Sequence, residues 1–307
     1  MQYLKLPFWN FFSTRDDELA TKLWASTGSD EQVTKVWATM QNHEGYQVSR
    51  NGGTVRLCLD RPHHGNSLTF PMIKEITSLF KHLSSDDSVH RIIITGRGRY
   101  FCTGMHLKED LFVSVAERCN ALQELFSTLD SCPKTTMAVI NGPAYGGGVG
   151  LATVCDVRIA VSTAFFCLSE VKLGLCPATI SKFLVREWGS SLARMAMLTG
   201  RRVKSQVLYD AGIIHALAID LDDLEKVVEG FLNDLKLAAP RAAALCKWLV
   251  EEAVSGHDAA IDQMAGEVFE AMLAQGSEAS HGIAQFNMGI KDIVWEDVVR
   301  DDKLTAS

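Results

Sequence analysis

Apolar residues recur along this chain in two rhythms, and the change between them marks its organisation. Segments 46–50 and 54–60 alternate around Asn51-Gly52-Gly53, which predicts a β-hairpin. Two continuous apolar runs, 91–95 and 136–140, read as strands buried on both faces. Helical spacing of apolar positions predicts helices over 69–83 and 114–129. A helix opened by glycines follows at 149–155, then strands at 157–161 and 164–167. From Pro177 onward the spacing is almost wholly helical, punctuated by Gly189, Gly200, Gly212 and Pro240. Residues 16–40 also read as helix, with Leu19, Leu23 and Trp24, then Val33, Val36, Trp37 and Met40 at helical intervals. The chain therefore divides into a helical N-terminal extension (1–44), an α/β core (45–215) and a helical C-terminal region (216–307).

Composition narrows the class. Of 307 residues, 47% are hydrophobic and 22% charged, as in an ordinary globular protein. The net charge of −7 and the absence of a Lys/Arg block argue against a nucleic-acid partner. The eight cysteines form no C-x-x-C pair and mostly sit in apolar runs, so they read as reduced core residues of an intracellular protein. No apolar run reaches the ~20 residues of a membrane span. With no targeting segment recognised at either end, the expected location is the cytoplasm. No metal-ligand spacing, phosphate-binding loop or Ser-His-Asp signature is present.

Candidate chemistry enters with Gly146-Gly147-Gly148, set between a strand and a helix. A helix opening on glycines presents unpaired N–H groups with no side chain in front of them. Such donors, at the positive end of the helix dipole, can hold an oxygen that becomes negative during a reaction.

Four segments in order resemble the enoyl-CoA hydratase/isomerase (crotonase) superfamily. They are DRPHHGNSL (60–68), FCTGMHLK (101–108), NGPAYGGGVGLATVCDVRIA (141–160) and FCLSEVKLGL (166–175), and the likeness extends over roughly 46–290. Within the superfamily they look most like methylglutaconyl-CoA hydratases. The resemblance implies a crotonase (ClpP-like) spiral of ββα units with a helical C-terminal trimerisation region, assembled as a homotrimer or homohexamer. It also implies an acyl-CoA thioester substrate, with no cofactor beyond the coenzyme A that the substrate carries. The family's oxyanion donors fall on the amides of Met105 and Gly147, and its proton shuttle falls on Glu170. Gly104, Gly146, Gly148 and Gly150 are assigned with them to the substrate-binding surface. So are Arg61 and His63 near the CoA arm, Lys108 near its phosphates, and Phe286 and Lys291 toward a neighbouring subunit.

The sequence departs from the family's hydratases at one position. Where they commonly carry a second glutamate, this chain has Gly150. Candidates to hold water in its place are His106, Glu109, Glu124, His63 and His64, with His106 favoured because it follows the amide of Met105 and titrates near neutrality. Asp156 reads as structural. The expected activity is enoyl-CoA hydration; the alternatives are double-bond isomerisation by Glu170 alone, or a decarboxylase or specialised biosynthetic reaction on the same fold. On this reading, Gly150→Glu would raise hydration.

Overall fold

The computed structural model describes residues 37–106, 113–256 and 258–300. The hairpin forms as read: Tyr46–Asn51 (β2) pairs antiparallel with Thr54–Leu59 (β3). Ala38–His43 (β1) adds a further antiparallel strand on the outer side of β2. Met40 thus lies in a strand, where the apolar spacing predicts the end of a helix. Sheet pairing with β2 overrides that local signal. Trp37, just ahead of β1, lies under the Arg56 guanidinium at 4.4 Å. Trp24 and the rest of the expected extension through residue 36 lie outside the described residues.

The two apolar runs become Arg91–Gly96 (β4) and Thr135–Ile140 (β5), which continue the sheet parallel to β3. Val157–Val161 (β7) and Ala216–Ala218 (β10) complete it, giving the order β1-β2-β3-β4-β5-β7-β10. The last strand falls where only helix is expected, and it ties the proposed 215/216 boundary into the sheet of the core. Ile92, Ile93, Ile94, Ala138 and Ile140 are essentially without solvent contact, as continuous apolar runs require in a sheet covered on both faces.

Helix Phe70–Ser85 (α1) starts at Thr69, whose hydroxyl accepts the Met72 N–H, and buries Met72, Ile73, Ile76, Phe80 and Leu83. Val115–Asp130 (α2) begins in a capping box, with Ser114 and Glu117 exchanging side-chain-to-backbone bonds at 3.2 and 3.1 Å. A second, three-stranded sheet is made of Ala144–Tyr145 (β6), Phe165–Cys167 (β8) and Arg202–Lys204 (β9), in the order β6-β8-β9. Gly147–Thr153 (α3) leaves β6 directly.

Beyond it come Ser181–Thr199 (α4), Ser205–Asp210 (α5), Leu221–Lys236 (α6), Pro240–Val254 (α7), Asp258–Leu273 (α8), Glu278–Asn287 (α9) and Trp295–Arg300 (α10). Asp156 is structural, as read. Its Oδ2 accepts the N–H and hydroxyl of Thr136 at 2.7 and 2.8 Å, and its Oδ1 pairs with Lys247 of α7 at 2.9 Å. All eight cysteines are free thiols, but Cys176 and Cys246 are exposed and are not core residues.

Two asparagines fasten the loop that leads into the FCTGM segment. Asn66, at a left-handed φ of 54°, accepts the Arg61 N–H at 2.9 Å and donates to the carbonyls of Arg97 (2.9 Å) and Tyr100 (2.7 Å). Asn141 accepts the Gly96 N–H at 3.1 Å and donates to Gly98 O at 2.8 Å. Asn66→Ala strips buried partners and leaves alanine in a disfavoured backbone region. It is expected to lower unfolding stability by about 2–4 kcal/mol in urea titration; an unchanged midpoint would show that the loop is held by other contacts.

Candidate active site

Several short segments run parallel and end along one edge. Cys102 bridges Ala144 of β6, and β6 pairs with β8 through Ala144↔Phe166 and Tyr145↔Cys167. The residues leaving these strands emerge side by side: Gly104 and Met105, then Gly146 and Gly147, then Ser169 and Glu170. Parallel strand ends gather functional groups in this way because every chain exits in the same direction.

Backbone pairing aims the amide of Met105. Leu68 bridges Met105 in parallel: the Leu68 N–H donates to Gly104 O, and the Leu68 carbonyl accepts the His106 N–H, both at 2.8 Å. Alternate residues of a parallel ladder face opposite ways, so the N–H of Met105 turns away from Leu68. Gly147 is the first residue of α3, and its N–H has no acceptor within the helix. Among the described residues, neither amide has an acceptor. The two lie close together: a Cβ placed on Gly147 would sit 3.7 Å from Met105 N, and one on Gly104 would sit 2.8 Å from Gly147 N. Gly104 (φ 86°) and Gly146 (φ 49°) hold left-handed backbone that allows this approach.

Glu170 lies in the 3-10 turn Ser169–Leu173, closed by Gly174 at φ 75°. Its Oε1 would be 2.9 Å from a Cβ on Gly146, which places the carboxylate against the glycine run. Its Oε2 is buried and has no hydrogen-bond partner among the described residues. Burial pushes its pKa above the ordinary 4.5, while its own backbone N–H pulls weakly the other way.

Met105, Gly147 and Glu170 open on one cavity of about 940 Å³, together with His106, His63, His64, Gly104 and Gly146. The rings of His64 and His106 meet edge-on at 5.9 Å. Other expected residues do not line it. The Arg61 guanidinium donates to Ser67 O at 2.9 Å, holding the loop's shape instead of facing the cavity. Gly148 is buried because α3 packs on the FCTGM strand; a Cβ there would meet Cys102 O at 2.1 Å. Glu124 pairs with Lys81 on the exposed face of α2 and is removed from the water-holding candidates. Phe286 and Lys291 are exposed and lie off this chain's cavity. Lys108 and Glu109 lie outside the described residues.

Gly150 requires the largest correction. It is buried beneath Phe126 and Ile180, and a Cβ there would stand 2.4 Å from Ile180 Cγ2 and 2.9 Å from Phe126 Cε1. The space for a second carboxylate is filled with hydrocarbon, so Gly150→Glu is a packing fault and not a restored acid. Phe126 and Ile180 escape sequence reading because the helical spacing of 114–129 shows that one face is buried, without showing what it faces. That face also carries Val115, Arg118, Cys119 and Leu122, and the opposite lip is formed by 173–180.

A mixed, mostly parallel sheet, a glycine-opened helix and a half-buried glutamate at its mouth define the crotonase fold with an enzyme site. The sequence model described as enoyl-CoA hydratase/isomerase matches residues 49–297, and the chain belongs to that family. It is 57% identical over 257 residues to enoyl-CoA hydratase ACTT6 of Alternaria alternata, covering 83% of this chain and 85% of that one. Among solved structures, Pseudomonas aeruginosa AtuE superposes with a TM-score of 0.74 at 30% identity, over 82% of this chain and 99% of that one. An enoyl-CoA hydratase/isomerase from Marinobacter aquaeolei gives 0.75 at 26% identity, over 83% and 100%. No described helix is long and apolar enough to cross a membrane.

Two outcomes check this geometry. Gly150→Ala is expected to destabilise the fold by about 1–3 kcal/mol through overpacking, and Gly150→Glu to cost more and bring no gain in hydration; rising hydration would overturn the packing account. Because folding raises the Glu170 pKa, its contribution opposes stability once pH exceeds the unfolded value near 4.5. Glu170→Gln is therefore expected to melt higher than the parent at pH 7, with the difference vanishing as pH falls below that value. A lower melting point at pH 7 would contradict it.

Proposed function

We propose that the chain hydrates an enoyl-CoA thioester, with Glu170 as its one acid/base. The observation that carries this reading is the partnerless Oε2 of Glu170, buried beside two amides that have no acceptor. The thioester oxygen would accept the N–H groups of Met105 and Gly147. Losing one such donor costs about 3–4 kcal/mol in well-studied sites. Glu170 takes a proton from water, the water oxygen adds to C3, and the charge moves onto the thioester oxygen. The same carboxyl then gives the proton to C2 and returns to its ionised form. Burial suits Glu170 to both steps, since a raised pKa makes it a stronger base toward water and leaves it able to return the proton. His106 lines the same cavity and is the residue proposed to orient water.

A second reading is favoured by the hydrocarbon over Gly150. With no second carboxylate there, Glu170 could remove a proton from C2 of a 3-enoyl thioester and return it at C4, which is isomerisation. The hydratase names of relatives over half identical support the first reading.

We also infer a homotrimer or a pair of trimers. Helices α7 and α9 have no buried residue in the single chain, and Val250, Phe269, Leu273, Ile283 and Phe286 stand exposed on α7–α9. That much apolar surface fits contact with further copies, which would bring Phe286 and Lys291 toward a neighbour's site.

With crotonyl-CoA, loss of the conjugated-thioester absorbance reports hydration; with a 3-enoyl-CoA, its appearance reports isomerisation. Hydration is expected to dominate, and Glu170→Gln to cut turnover about 10²–10⁴-fold while substrate still binds. Unchanged turnover in that variant would remove Glu170 from the mechanism.

A further inference from the structure

The cavity has two walls of different chemistry. One, built from 62–65 and 97–100, is polar and cationic and fits a phosphate-bearing handle. The other is the face of α2 that runs from exposed Val115 through Cys119 and Leu122 to fully buried Phe126. Phe126 Cζ would be 3.8 Å from a Cβ on Gly147, so this apolar wall starts at the amide pair and climbs to the mouth. A chain attached at the amides has this wall to lie on.

One residue breaks the apolar character of that wall. Arg118 lines the cavity on α2, half-buried, and its side chain has no hydrogen bond or ion pair among the described residues. Five other arginines that are at least partly withdrawn from water show a different arrangement. Arg56, Arg91, Arg97, Arg158 and Arg186 each meet a carboxylate, from Glu225, Glu296, Asp60, Glu187 and Asp130 respectively. The carboxylate next to Arg118 in sequence is already engaged, because Glu117 bonds the N–H and hydroxyl of Ser114 at 3.1 and 2.6 Å. A guanidinium partly withdrawn from water favours a planar oxyanion that it can hold with two hydrogen bonds. From Phe126 back to Arg118 the helix rises about 12 Å at ~1.5 Å per residue, so the charge lies well beyond the reacting carbons.

We propose that Arg118 is a specificity residue that binds a carboxylate at the far end of the acyl chain, so that the preferred substrate is an ω-carboxyacyl thioester of CoA. The inference rests on the acyl-CoA reading above, and binding measured without turnover separates the two. A saturated ω-carboxyacyl-CoA and the plain acyl-CoA of equal length are titrated into the full chain and into Arg118→Leu and Arg118→Lys by calorimetry. For at least one chain length in a series, the parent is expected to bind the carboxylated ligand about tenfold or more tighter than its plain counterpart. Arg118→Leu is expected to abolish that preference and leave the plain ligand unaffected, while Arg118→Lys keeps part of it. Equal binding of both ligands by the parent at every length, or an equal loss for both in Arg118→Leu, overturns the proposal; the second result would place Arg118 on the CoA portion. Failure of both ligands to bind the parent at every length would overturn the acyl-CoA reading as well.

Discussion

The backbone contact between Gly104 and Gly147 is the constraint on which the rest of the site depends. A Cβ at 104 would press on the Gly147 nitrogen and, at 3.1 Å, on the Tyr145 carbonyl. Two chain segments from different parts of the sequence can therefore meet only through glycine. That meeting brings two unsatisfied amides together without using a single side chain. The asparagines at 66 and 141 hold the entering loop, the Leu68 bridge turns Met105, and the pairing of β6 with β8 delivers Glu170. Each acts on backbone geometry, which explains how a methionine can stand at 105 without cost to the arrangement.

The chemistry available follows from what surrounds the carboxylate. One oxygen of Glu170 faces the glycine run and the other has no partner. Phe126 and Ile180 line the same cavity and cover Gly150. A lone acid against hydrocarbon keeps its proton more tightly than a solvated one, which favours a group that both takes and gives. Among the described residues that line the cavity, Glu170 is the one carboxylate. The assembly inferred from bare α7–α9 would lie behind this machinery, tied to it by the Lys247–Asp156 pair.

Much of the fold was legible because its signals are local. The runs at 92–94 and 137–140 are buried on both faces and could be little else than inner strands. The hairpin announced itself through Asn51-Gly52-Gly53, and α2 through Ser114 and Glu117. The misses share a cause. Ala216–Ala218 and Ala144–Tyr145 are strands of three and two residues that exist only through their neighbours, and Met40 joined a sheet despite helical spacing. In the site, motif order singles out Glu170, Met105 and Gly147, and the structure brings the three to one cavity. Arg61 falls in a loop whose sequence points to substrate, but its guanidinium turns onto Ser67, a contact that no local pattern announces. The occupants of the space over Gly150 come from α2 and from Ile180, too far along the chain for any local pattern to connect.

That sealed space also sets an order on how this lineage can change. An acidic residue introduced at 150 by one substitution would arrive under an aromatic ring and a branched aliphatic chain. Phe126 or Ile180 would have to shrink first, opening a void that weakens the fold and brings no immediate catalytic return. Packing thus ties position 150 to two residues distant in sequence, while the outer turn of α2, with Val115 exposed, carries no such constraint.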